Sequence, residues 1–145
     1  MAPLTKNTAA IAFLAATALP KCCVGFVAMA EVTIYHNPRC SKSRAAMVVA
    51  DEVGADIDVV LYLDDPPDAA TLRSIVAKLE DPPAALVRRD DWATLGITAD
   101  DVATPEGVVD VLERHPQLME RPVLVTRDRA IIGRPTERAR QLLST

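Results

Sequence analysis

Val32-Thr-Ile-Tyr-His-Asn-Pro-Arg-Cys-Ser-Lys-Ser-Arg44 is the stretch on which the fold turns. Val32 to His36 alternates apolar and polar residues and reads as a strand. Asn37-Pro38 breaks that run. Ser41 to Val53 then carries Ala45, Val48, Val49 and Val53 at helical spacing, and Gly54 ends the helix. Cys40 therefore falls at a strand-to-helix turn. There the first helical N–H groups lack intrahelical partners and the helix dipole is positive, so an anion is stabilised. Arg39, Lys42 and Arg44 add positive charge. All of these effects favour the thiolate over the thiol, so the spacing predicts a depressed thiol pKa and a nucleophilic sulfur.

Working outward, Ile57 to Leu63 is β-branched and reads as a second strand. Asp68 caps a helix running through Leu79, with Leu72, Ile75, Val76 and Leu79 on one face. Asp81 to Ala103 is less regular and predicts short helices and loops, an insertion in the pattern. Thr104 caps the next helix, with Pro105 at its first position and His115-Pro116 closing it after Arg114. Pro122 to Thr126 and Ala130 to Gly133 flank Arg127-Asp128-Arg129 as a hairpin, and Pro135 to Leu143 forms a last helix.

The order is β-α-β-α, helical insertion, α, β-β-α. Two strands joined by a crossover helix are parallel, and a hairpin adds antiparallel strands. The fold class is therefore α/β, a thioredoxin-like mixed sheet with flanking helices and a helical insertion. In that layout a proline precedes the third strand beside the active cysteine. Pro122 occupies that place, and a cis Arg121-Pro122 bond would bring Arg121 to the Cys40 turn.

The chain has 145 residues, half of them hydrophobic, enough for one domain with a core. Its net charge is −4, and the only charges up to residue 28 are Lys6 and Lys21, so the rest is more acidic still. That balance argues against a non-specific nucleic-acid binder. The arginines near Cys40 are then suited to a small anion. Residues 1–28 are Ala-rich, contain the adjacent Cys22-Cys23 and stand apart from the domain at 29–145. They read as upstream of a true start at Met29, in preference to a secretory signal ending at Ala28-Met29-Ala30; Pro20 and Lys21 interrupt any membrane span. A lone reactive thiol suits a reducing, cytoplasmic compartment.

Six segments in register carry a resemblance. They are His36 to Arg44, Leu61-Tyr-Leu-Asp-Asp-Pro-Pro67, Leu86-Val-Arg88, His115-Pro116, Glu120-Arg-Pro-Val-Leu-Val125 and Ile132-Gly-Arg-Pro-Thr-Glu137. Together, from about Val32 to Leu143, the chain resembles the glutaredoxin-coupled arsenate reductase family, whose fold is thioredoxin-like with a helical insertion. Cys40-Ser-Lys-Ser-Arg44 resembles a sister branch, the best-studied members having Cys-Gly-Thr-Ser-Arg.

The resemblance implies that Cys40 is the nucleophile, that Arg88, Arg121 and Arg134 bind and polarise the oxyanion, and that His36 helps activate the thiol. It implies arsenate as substrate, glutathione or a similar low-molecular-weight thiol as co-substrate, and a glutaredoxin as partner. It implies no bound metal or organic cofactor. A monomer without nucleic-acid or membrane partners completes the expectation. Guanidinium forks suit the charge and geometry of such an oxyanion.

Spacing separates other thiol chemistries. Ser43 stands where a Cys-x-x-Cys motif needs its second thiol, and Ala46 stands where a Cys-x5-Arg phosphatase loop needs arginine. Two distant histidines with one domain cysteine do not make a metal site. Two alternatives stay open: a redox-sensing transcription regulator of the same fold family, and a general glutathione-linked thiol oxidoreductase.

Overall fold

A computed structural model of the chain describes residues 31–145. The expectations for residues 1–28, for Cys22-Cys23 and for a start at Met29 lie outside the described residues. Four strands, β1 (Val32–His36), β2 (Ile57–Leu61), β3 (Val123–Val125) and β4 (Ala130–Ile132), form one sheet in the order β2-β1-β3-β4. β1 pairs with β2 in parallel and with β3 antiparallel, and β3 and β4 form the hairpin.

Side chains alternate across this sheet as the pleat requires. Ile34, Leu124 and Ile131 are consecutive cross-strand partners on one face. There they pack with Ala46, Val49 and Ala50 of α1 (Ser41–Val53) and with Ala139, Leu142 and Leu143 of α5 (Thr136–Leu143). Tyr35, Val123 and Ile132 form the equivalent row on the other face, covered by α2 (Ala69–Lys78) and α4 (Pro105–Arg114). β2 is an edge strand, and Val59 and Leu61 stay partly exposed on it.

The caps behave as their residue types dictate. The Asp68 carboxylate accepts the Thr71 N–H at 2.8 Å, and the Thr104 hydroxyl accepts the Gly107 N–H at 3.1 Å. Gly54 ends α1 in the left-handed region at φ 66°, where a side chain would be strained.

Several boundaries differ from the sequence reading. β2 stops at Leu61 and does not reach Leu63, because the N–H groups of Asp64 and Asp65 both turn back to the Leu61 carbonyl at 2.9 Å. Tyr62 is thereby directed into the core. α2 ends at Lys78, since Leu79 is extended and bridges Ala130. A 3₁₀ turn, Pro116–Leu118, follows α4 where only termination was expected.

The insertion consists of the 3₁₀ turn Pro83–Leu86, the short helix α3 (Trp92–Leu95) and the 3₁₀ turn Asp100–Val102. It is tied to the segment before β3 by a Val87–Met119 bridge. The Arg88 N–H donates to the Leu118 carbonyl and the Glu120 N–H to the Leu86 carbonyl, each at 2.7 Å. Arg88 and Glu120-Arg121 are thus held side by side.

Gly133 allows a close approach at this same open end of the hairpin, where β4 leaves the sheet. Its N–H donates to the Pro122 carbonyl at 2.8 Å, and a Cβ there would lie 2.7 Å from Leu124 Cδ1 and 3.0 Å from Pro122 Cγ. Gly133→Ala is expected to cost about 1–3 kcal/mol by overpacking. Urea titration would show this as a lowered midpoint with an unchanged slope.

Candidate active site

The strand, turn and helix that open the domain are held by main-chain bonds and one buried hydroxyl. The Asn37 carbonyl accepts the Cys40 N–H at 3.0 Å, and its side-chain oxygen accepts the Arg39 N–H at 2.9 Å. Ser43, fully buried on the first turn of α1, accepts the Asn37 N–H at 3.0 Å and lies 2.7 Å from His36 Nδ1. With its oxygen engaged by Asn37, the serine has its proton to give to Nδ1, which suits a neutral imidazole. Burial holds His36 below its ordinary pKa; a hydrogen bond with the Ser43 backbone opposes this and the Arg44 charge adds to it.

Cys40 occupies the N-cap position of α1 without closing a cap hydrogen bond of the kind serine makes. It is partly exposed and is the one cysteine among the described residues. Burial pushes its thiol up. The backbone N–H groups of Ser43 and Lys42 and the guanidinium of Arg121 outweigh that, so the thiol lies below its ordinary value. The helix amides act here as oriented dipoles on a developing anion.

The two hairpin arginines reach the sulfur from the far end of the chain. Both Arg121-Pro122 and Arg134-Pro135 are cis, the first as expected and the second not anticipated. Arg134 Nη2 is 3.6 Å from Cys40 Sγ, while its Nε donates to the Arg121 carbonyl at 2.8 Å. Arg121 Nε is buried and has no hydrogen-bond partner, and neither has the hydroxyl of Tyr62. Burial pushes the Tyr62 phenol up and the charge of Cys40 adds to this, against the effect of Asn37, Arg121 and Arg88. Unpartnered buried donors of this kind are costly. Both belong to the surroundings of Cys40.

The expected residues differ in how they are placed. Cys40, Arg121 and Arg134 converge. His36 bonds Ser43, which also offers its N–H to the sulfur, so His36 touches the thiol's neighbour. Arg88 is close enough to act on Tyr62, yet its guanidinium is paired with Asp90. Its neighbour Arg89 lies over the Trp92 ring at 5.6 Å, and the Trp92 indole N–H donates to the Arg88 carbonyl at 2.5 Å.

Three further residues belong to the site. Ser43 in sequence marks only the place of a missing thiol, although a serine three residues into a helix beside a buried turn is a cue for backbone capping. Tyr62 has the pattern of a strand residue. Glu120 lies within a motif, and a carboxylate beside an arginine has no sequence signal that distinguishes a surface pair from a site pair. Among the described residues no group of three or more His, Cys, Asp or Glu side chains is placed to hold a metal ion, and no helix is long and apolar enough to cross a membrane.

The domain as a whole resembles known proteins. The ArsC family matches residues 35–142. A protein of Escherichia coli K12 called YfgD, described as uncharacterized, is 40% identical over 116 residues, covering 78% of this chain and 97% of that protein. An arsenate reductase of Neisseria meningitidis is 38% identical over 118 residues, covering 79% of this chain and all of that protein. Among solved structures, an arsenate reductase from Vibrio cholerae superposes with a TM-score of 0.67 at 29% identity, over 79% of this chain and 98% of that one.

The pH dependence of alkylation tests the electrostatics of Cys40. Its rate with iodoacetamide should rise with pH through a midpoint below the free-cysteine value of roughly 8.5. Arg121→Gln should move that midpoint upward, because it removes a charge that favours the thiolate. A wild-type midpoint at or above the free value would contradict the assignment.

Proposed function

The chain belongs to the ArsC family, and on that premise we propose that it reduces arsenate to arsenite at Cys40, with thiols as the electron source. The observation that carries this reading is the convergence on one sulfur of a helix N-terminus, Arg134 Nη2 at 3.6 Å and the Arg121 guanidinium, which favours the thiolate. A thiolate repels an anionic substrate. Guanidinium groups fixed beside it lower that repulsion and draw charge from the oxygens, which favours attack at the central atom. The arsenate reductases among its relatives support the choice of oxyanion.

In the proposed course the Cys40 thiolate forms a sulfur–arsenic bond and one arsenic–oxygen bond breaks, its oxygen leaving as water after protonation. Arsenic remains As(V) at this stage. A small thiol such as glutathione then replaces a second oxygen. A further thiol, delivered by a glutaredoxin, attacks the sulfur of that ligand. The sulfur–sulfur bond forms and the arsenic–sulfur electron pair stays on arsenic, now As(III). Two thiols have become one disulfide, matching the two electrons gained by arsenic. Hydrolysis releases arsenite and returns Cys40 as the thiol.

In this scheme His36 and Ser43 hold the turn that presents the sulfur, Arg121 and Arg134 bind the oxyanion, and Arg88 joins them on leaving Asp90. A glutathione pool and a glutaredoxin place the reaction in the cytoplasm, and a monomer suffices for it.

Arsenate-dependent oxidation of glutathione in the presence of glutaredoxin tests the reading. Wild-type protein should turn over, and Cys40→Ser should fall to the uncatalysed background. Arg134→Ala should lose roughly 10²–10³-fold in kcat/KM, the usual effect of removing one oriented donor. Equal background rates for wild type and Cys40→Ser would overturn the proposal and leave the thiol-sensing regulator as the reading to pursue.

A further inference from the structure

Arg134 is shared between two anions. Its Nη2 that lies 3.6 Å from Cys40 Sγ is also 3.1 Å from Glu120 Oε1. The same Oε1 accepts the Arg121 N–H at 3.1 Å, and the Glu120 N–H is fixed to the Leu86 carbonyl. The carboxylate is therefore held on both sides. Its side chain is 19% exposed, against 37% for Arg134, so solvent screens its charge only in part. A surface pair of this length would contribute little. This one sits at the mouth of an anion cradle.

The charges decide what the cradle prefers. Arg121 and Arg134 bring two positive charges and the thiolate takes up one. Glu120 cancels the other, so beyond the partial charge of the helix terminus the groups set against the sulfur leave no full positive charge over for an incoming anion; Arg39, Lys42 and Arg44 on the same turn are exposed, where solvent screens them. Arg88, which could supply one, is engaged by Asp90. A doubly charged oxyanion entering beside Arg134 meets the Glu120 carboxylate, whereas a singly charged one meets half that repulsion. We propose that Glu120 is a specificity-determining residue that makes the Cys40 site discriminate by charge, favouring singly over doubly charged tetrahedral oxyanions. The inference rests on reading Cys40 as a thiolate that receives an oxyanion. It adds the charge state selected and the residue that selects it.

The test uses two tetrahedral anions that differ in charge at all working pH values, perchlorate with one and sulfate with two. Each is titrated for its ability to protect Cys40 from iodoacetamide, a neutral reagent, at constant ionic strength. In wild-type protein perchlorate should protect at a lower concentration than sulfate. Glu120→Gln should improve protection by sulfate on the order of tenfold, a fraction of what removing a partly buried charge a few ångströms away would give at full Coulomb strength. Perchlorate protection should improve distinctly less. Glu120→Ala, which abolishes the hydrogen bond as well, should show the same shift in the sulfate-to-perchlorate ratio, because loss of positioning alone weakens both anions together.

Should both variants keep the wild-type ratio, the charge-selecting role is overturned while the oxyanion reading stands. Should neither anion protect Cys40 in wild-type protein, the oxyanion reading itself falls, and this inference with it.

Discussion

The pairing of β1 with β3 is the constraint on which the rest depends. Three cross-strand pairs, Thr33–Val125, Ile34–Leu124 and Tyr35–Val123, join segments about ninety positions apart. The first supplies Cys40 just beyond its end and the second begins just after Arg121-Pro122. Because the strands are antiparallel, the C-terminal end of β1 lies beside the N-terminal end of β3, so both deliver their candidate site residues to the same end of the sheet. The hairpin register then sets Gly133 against Pro122 and brings Arg134 in behind it. The loop-closure entropy of such a contact is substantial, and it is offset by the buried rows that run across the sheet on both faces.

What this placement achieves is electrostatic. Desolvation alone would raise the pKa of the thiol, and it is the largest single influence on it. Two amides at the helix terminus and the Arg121 guanidinium reverse that outcome together. The main-chain contribution costs no side-chain entropy, since the amides are already fixed by the helix. Guanidinium groups must be held, and here a backbone carbonyl and a carboxylate hold one of them: Arg134 bonds the Arg121 carbonyl and Glu120, while Arg121 is half-buried with its Nε out of solvent. In the proposed reading, these groups are set in place before any anion arrives.

Much of the fold was legible because its elements are strongly periodic and capped. The α1 boundaries, the Asp68 and Thr104 caps, the hairpin and the helical insertion all follow from local pattern and turn chemistry. The departures have local causes as well. Tyr62 continues a β-branched run, so pattern extends the strand past Leu61, but two converging amides turn the chain there. At the site, Cys40 and the hairpin arginines were visible from their context. The engagement of Arg88 by Asp90, of Arg134 by Glu120 and of His36 by Ser43 was not. Those pairings depend on side-chain directions at junctions between elements, where no periodicity operates.

Ser43 carries a consequence of a different kind. Its buried hydroxyl ties the turn together from the position at which a dithiol protein would keep its second sulfur. Cys40, low in pKa and open to solvent, is well suited to oxidation by peroxides to a sulfenic acid. Among the described residues no neighbouring thiol can condense with that product. Rescue then calls for a thiol from beyond the described residues, an outside thiol or the Cys22-Cys23 pair, before a second oxidation makes the damage permanent. With Cys40 as the proposed nucleophile, the lifetime of that thiol would follow the supply of reduced thiols that reach it.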